Sequence, residues 1–186
     1  MTTSTRDRIL DSYVDLLVEH GGLGVSLEAV AARAGVSKGG LLYHFPTKAS
    51  LLVGLTARLR AYTEVNIARA RAEGIVRTFL QTSTPRHDEA RHYWAALTAV
   101  AADRRGSPAE ATQALHDAFD DWSALLGQEV NDPVLADTIR IVGDGLFLST
   151  VAGLPRPDDA GVLAVIAHLQ DLASRAVHNP EAQASD

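Results

Sequence analysis

The sequence predicts an all-α protein of about nine helices. Three observations carry that expectation. Apolar residues recur every three or four positions along most of the chain, the period of a helix with one buried face. No segment sustains the alternation of β-branched and aromatic residues that a half-buried strand needs. Capping residues, glycines and prolines punctuate the periodic stretches at helix-like intervals. With 186 residues, 46% hydrophobic and 22% charged, the chain is long and apolar enough to bury a real core.

The elements follow in order. Residues 6–19 put Ile9, Leu10, Tyr13, Leu16 and Leu17 on one side of a first helix, which His20-Gly21-Gly22 ends. Ser26 is the N-cap of a second helix, with Glu28 in its first turn facing the helix dipole. That helix carries Leu27, Val30, Ala31 and Ala34 and stops at Gly35. Ser37 caps a third, short helix that ends before Pro46. Thr47 caps a fourth, long helix from Lys48 to about Ala72. Gly74 and Pro85 leave room for a short helix between loops. Helical patterns resume at about 88–103, 109–127, 133–152 and 159–177. Asp103 to Pro108, Asn131 to Pro133 and Gly153 to Asp159 separate them. The tail after His178 is polar and expected to fray.

Composition excludes several classes of function. The absence of cysteine removes disulfides, thiolate zinc sites and a cysteine nucleophile. The opening MTTSTRDRIL has no apolar stretch, and no run of about 18 apolar residues occurs. Neither a signal peptide nor a membrane span is expected, and the expected setting is the cytoplasm. His87 and His92 are five apart, whereas a His-Glu-x-x-His zinc site needs four. A helix would splay them by about 140°. His116 and His168 are isolated, and no phosphate-binding glycine loop or Gly-x-Ser-x-Gly elbow occurs. No enzyme, metal site or cofactor is expected. Charge is uneven: residues 1–60 hold seven basic and five acidic side chains, residues 61–186 ten and eighteen. Only the N-terminal third is suited to an anionic polymer.

The most specific signal is Ser26 to Lys48, SLEAVAARAGVSKGGLLYHFPTK. A helix of eight or nine residues ends in Ala34-Gly35-Val36 and another starts at once from Ser37. This is the spacing of a helix-turn-helix, whose second helix enters the major groove. Small Ala31 lets the two helices cross closely, and Val36 fills the gap between them. The alternative is an ordinary helical hairpin within a bundle. Around the third helix, Leu41 and Phe45 share one face as the core anchor, and Gly39 and Tyr43 point away. Lys38, the two glycines, Leu42, Tyr43 and His44 form the outward surface. Bare backbone at Gly39 and Gly40 lets a helix sit close to a groove. An exposed Leu42 suits a thymine methyl. Ser37, Tyr43 and His44 are natural phosphate donors. Lys48 opposes the dipole of its own helix; a phosphate nearby would explain the placement, and so would a lysine held in solvent.

Ser37 to Lys48 resembles the recognition-helix signature of TetR-family transcriptional regulators, and Leu27 to Val36 resembles that family's preceding helix. The likeness is specific over about residues 6–55. The resemblance implies an N-terminal three-helix DNA-binding domain, 1–48, and a larger ligand-binding and dimerisation domain, 49–178, before a polar tail, 179–186. It implies a dimeric repressor on a palindromic operator, released by a small molecule. Its DNA contacts, carried over by position, are Ser26, Ser37, Lys38, Gly39, Leu42, Tyr43, His44 and Lys48. Leu42 departs from the family, where that position is often aromatic or polar. Gly143-Asp144-Gly145-Leu146-Phe147 resembles a segment of family members that bind multiple drugs. Two other readings stay open: a helical ligand-binding or scaffold protein without sequence-specific DNA binding, and an activator.

The C-terminal two-thirds is expected to supply dimer and pocket. The helix at 133–152 is apolar almost all round after Ile139, so it is expected to be covered on more than one side. The helix at 159–177 has a clean stripe through Val162, Val165, Ile166, Leu169, Leu172, Ala173 and Ala176. Paired across two subunits, they could form a four-helix homodimer interface, the arrangement the resemblance also implies; the alternative is core helices buried within a monomer. Trp94, Leu97, Phe119, Trp122 and Phe147 are candidates to line an apolar cavity, with Asp144 as its polar anchor. The ligand expected is small and mostly apolar. Asp117, Asp120 and Asp121 could attract a cation, or form a solvated acidic face.

Overall fold

A computed structural model describes residues 4–20, 24–102 and 106–178. Among them are nine helices: α1 (Thr5–Glu19), α2 (Leu27–Ala34), α3 (Lys38–His44), α4 (Lys48–Glu73), α5 (Ile75–Thr82), α6 (His87–Ala102), α7 (Ala109–Glu129), α8 (Pro133–Ala152) and α9 (Asp159–His178). The all-α expectation holds, and the short helix between Gly74 and Pro85 is α5. Gly21 and Gly22, expected to end the first helix, lie outside the described residues, as do Asp103 to Arg105 and the tail after His178.

The caps explain where the first helices begin. The Ser4 hydroxyl accepts from the Asp7 N–H at 3.1 Å, that of Ser26 from Ala29 at 3.1 Å, and that of Ser37 from Gly40 at 3.0 Å. Thr47 and Ser50 cap α4 reciprocally: each side-chain oxygen accepts from the other's N–H at 3.0 Å. Gly35 closes α2 at φ +64°, where an L side chain is strained. Its neighbour Val36 donates to the Ala31 carbonyl at 3.0 Å.

The chain forms two compact units. The first joins residues 1–61 to 87–116, the second 62–86 to 117–186. The first unit is not contiguous in sequence, because α6 packs beside α1.

In the first unit α1 packs against α2 and α6, and α2 against α3. Ile9, Leu10, Tyr13, Leu17, Val30, Leu41, Phe45, Leu55 and Leu59 form its centre, with Ala95 and Ala96 from α6. Gly54 makes the α4 approach possible: a Cβ there would lie 2.7 Å from the Phe45 ring. An acidic row at four-residue spacing runs along α1: Asp7, Asp11, Asp15 and Glu19. Its partners come from three other helices. Arg58 of α4 binds Asp7 and Asp11, Arg91 of α6 binds Asp15, and Arg33 of α2 grips Glu19 with two bonds of 2.8 and 2.6 Å.

In the second unit α5 packs against α8 and α9. Val76, Phe79, Leu80, Leu126, Ile139, Leu146, Val162, Ile166 and Leu169 form its core. Gly143 is buried against α5; a Cβ there would lie 2.3 Å from the Phe79 ring. The Glu129 carboxylate caps α5 from the end of α7, accepting from the Ile75 N–H at 2.6 Å. Asp132 caps α8, with Pro133 in its first turn. Within one chain α8 is buried or half-buried over more than half of its circumference, as expected, and leaves one strip open, where Val134, Ile141 and Leu148 stay exposed.

Candidate nucleic-acid interface and ligand residues

The third helix is built to hold one face still and offer the other. Leu41 is 0% exposed and Phe45 2%, so both anchor the seven-residue α3 in the first core. Tyr43, on the opposite side, is 85% exposed, an unusual state for a large aromatic side chain. Its ring meets the His44 ring edge-on at 5.2 Å, which limits the freedom of both. Ser26, Ser37, Lys38, Gly39 and Lys48 are all exposed, and His44 is half-buried. A Cβ at Gly39 would meet nothing within 4 Å, so this stretch of helix backbone is bare. Gly40 differs. It is half-buried, and a Cβ there would lie 3.3 Å from the Ser37 hydroxyl that caps the helix.

One expectation needs correction, and one gains a partner. Leu42 is half-buried and packs against the first core, not exposed. It lies about 100° round from Leu41 and about 60° from Phe45, at the edge of the anchoring face. Its reach toward a base is therefore limited. Lys38 is exposed but engaged: its ammonium binds the Glu28 carboxylate at 2.6 Å, which ties α3 to α2. That bond holds the Glu28 carboxyl below its usual range.

Arg6 escaped the sequence reading. Its guanidinium stacks on the Phe45 ring, 5.1 Å from the centroid, and places a positive charge beside the end of α3. Only the fold reveals this, because 39 positions separate the two residues.

The expected ligand residues fall in different units. Trp94 and Leu97 belong to the first, both half-buried, and Leu97 packs on its core. Phe119, Trp122, Asp144 and Phe147 belong to the second. Phe119 and Phe147 meet edge-on at 6.2 Å, and Trp122 tilts against Phe79 at 5.3 Å. Phe79 is not among the expected ligand residues: α5 has one sharply apolar face, but at eight residues it is too short for its period to say what that face meets. Asp144 is half-buried and accepts from Arg140 at 3.2 Å. Burial raises its pKa while the guanidinium opposes the shift. Among the described residues, the Thr78 hydroxyl oxygen is buried without a partner. Among the described residues no cluster of side chains could hold a metal ion, and no helix is long and apolar enough to cross a membrane.

Comparison with known proteins bears on both ends of the chain. The model of bacterial regulatory proteins of the tetR family matches residues 9–55, and that of the tetracyclin repressor-like C-terminal domain matches residues 73–174. The second match alone spans more than half of the chain. The protein belongs to the TetR family of transcriptional regulators.

Solved structures agree with this TetR-family assignment. The multidrug binding protein EbrR, complexed with malachite green, is 26% identical with a TM-score of 0.62, covering 88% of this chain and 96% of EbrR. A TetR-family transcriptional regulator from Rhodococcus sp. shares the fold at 20% identity and a TM-score of 0.64, covering 93% and 98%. The regulator SCO7518 from Streptomyces coelicolor A3(2) is 25% identical with a TM-score of 0.57, covering 89% and 97%. Among curated proteins none matches. In this TetR-family regulator α2, Gly35 and α3 form the helix-turn-helix, and α5 to α9 lie in the matched C-terminal domain.

Proposed function

We propose that this regulator is a ligand-responsive repressor that binds a palindromic operator as a homodimer. The observation that carries the reading is α3. Two fully buried side chains anchor it, while Tyr43, Gly39 and Ser37 face outward in a module the tetR family model matches. In this reading residues 1–48 read DNA. Tyr43, His44, Ser37, Ser26 and Lys48 hold phosphates, and Lys38 and Gly39 meet the groove, with half-buried Leu42 at its edge. Residues 49–178 carry the ligand and dimer faces.

The dimer has support from α8. Val134, Thr138, Ile141, Gly145 and Leu148 are all exposed, at alternating spacings of four and three. That is the seam of a helix that packs on another helix. Leu163 adds an exposed apolar side chain on α9, 66% accessible. The ligand is a small, mostly apolar molecule, and cations fit best. EbrR, a multidrug binding protein, was solved with malachite green and with ethidium, and here Asp144 offers a half-buried carboxylate near Phe147 in sequence. Operator and ligand prefer different spacings of the two recognition helices, so each weakens the other.

Alanine variants test the DNA side. Tyr43→Ala and Lys48→Ala are each expected to weaken operator binding at least about tenfold while folding and dimerising normally. Fluorescence anisotropy with a labelled duplex measures it. Wild-type affinity in both variants would leave α3 a structural hairpin and favour a helical ligand-binding protein. A reporter in a deletion strain gives the sign: higher expression without the protein marks a repressor, lower an activator.

A further inference from the structure

A cleft of about 420 Å³ lies wholly within the first unit, bordered by α1, the start of α4 and the residues that end α6 and lead into α7. Tyr13, Lys48, Leu52, Ala99, Ala102 and Pro108 define its character. Its volume is that of a small-molecule site. It belongs to the unit that carries the helix-turn-helix, and none of the ligand candidates Trp94, Leu97, Phe119, Trp122, Asp144 and Phe147 lines it.

Two polar groups give the cleft a chemistry. Tyr13 is 1% exposed, and its hydroxyl makes no hydrogen bond among the described residues. The oxygen is not one of the fully buried unpartnered side-chain atoms, so it keeps access to solvent and is open to a ligand's oxygen. Burial pushes its pKa up to about 12, so it keeps its proton at neutral pH and can donate. Among the described residues Lys48 is the single charged one of the lining, and no carboxylate pairs with it. The rest of the wall is alkyl or small: Leu52, Ala49, Ala99, Ala102 and Pro108, with Gly24, Gly106 and Ser107. The Ser107 hydroxyl is already committed, donating to the Val100 carbonyl at 3.3 Å.

A proton donor in the wall, a cation and alkyl surface together match an amphipathic anion. We propose that this cleft binds a small organic acid, whose oxygens meet the Tyr13 hydroxyl and the Lys48 ammonium, and whose apolar body lies on Leu52, Ala99 and Pro108. A second statement rests on the reading of Lys48 as a phosphate contact. An acid held there withdraws Lys48 from DNA, so acid and duplex exclude one another. This input is separate from ligand binding in the C-terminal domain.

Sodium benzoate is the probe, with benzyl alcohol as its neutral counterpart, titrated calorimetrically into the full chain without DNA. Benzoate is expected to bind at least tenfold tighter than the alcohol. Tyr13→Phe, which keeps the ring, is expected to weaken benzoate about tenfold. Ala102→Trp fills the cleft from an exposed position and is expected to abolish binding. Benzoate no tighter than the alcohol, or indifferent to both variants, overturns the site. A random 20-base-pair duplex at low salt then tests the linkage. Saturating benzoate is expected to raise its Kd at least tenfold in the wild type and to leave Ala102→Trp unchanged. No effect of benzoate on duplex binding overturns the linkage. A wild type that binds no duplex at all removes the DNA reading, and with it the linkage, while the calorimetry still decides the cleft.

Discussion

A methyl group at Gly39 would meet no protein atom within 4 Å, so steric fit inside the chain does not demand glycine there. Helix propensity opposes it by about 1 kcal/mol relative to alanine. A groove in close contact with bare backbone would justify that cost. Gly39→Ala is therefore expected to raise stability by about 0.5–1 kcal/mol in thermal melts, yet to weaken operator binding at least tenfold by anisotropy. Gly35 gives the opposite case. Its φ of +64° makes Gly35→Ala a loss of about 1–2 kcal/mol. Charges divide in the same way. Ser4 and Arg58 lower the Asp7 pKa, Arg33 lowers that of Glu19, and Lys38 lowers that of Glu28. A depressed carboxylate contributes stability above its unfolded pKa and loses it as pH falls through the folded one. Acid melts are expected to show the first unit weakening below the ordinary carboxylate range. Asp144 has the other sign, because its raised pKa penalises the charged form in the fold. Asp144→Asn is expected to leave Tm unchanged or slightly raised at pH 7, and to weaken binding of ethidium, measured by its fluorescence.

At the scale of elements, α1 and α8 carry the consequences. The acidic row of α1 joins α2, α4 and α6, so the helix-turn-helix is held to α6 by charge as well as by core packing. Arg58, 14% exposed, is its most buried member, and Arg58→Met is expected to cost about 1 kcal/mol in chemical denaturation. The seam on α8 has a sharper test. Ile141→Lys puts a charge on an exposed apolar row, and sedimentation is expected to show a monomer with an intact helical signal. The α1 to α3 pattern was legible because each helix has a cap, a stop and an apolar anchor, while α4 was marked by its Thr47 cap and its length and not by a single apolar face. The division of the outward face of α3 was only partly legible. Helical period fixed Leu41, Phe45 and Tyr43, but the state of Leu42 depends on how deeply a seven-residue helix sits. The Lys38–Glu28 and Arg6–Phe45 partnerships join residues far apart in the chain, and no local period announces them. In the C-terminal region the periods located α6 to α9. They could not assign Trp94 and Leu97 to one unit and Phe119 to Phe147 to the other, because that depends on which helices pack.

For the molecule as a whole, net charge is −6, and the N-terminal third alone is basic. Association with DNA must therefore run through few positive groups, and affinity should fall steeply with salt as counterions are released. One helix-turn-helix per chain also makes the operator a report on assembly: a two-fold protein reads a two-fold site. Selection from a random duplex pool, followed by anisotropy titration of the winner at two salt concentrations, tests both at once. A palindromic sequence bound at nanomolar Kd, and weakened steeply by salt, is the expected result. No enriched sequence, from a protein shown to be folded and dimeric and assayed with and without ligand, would contradict an operator-binding regulator.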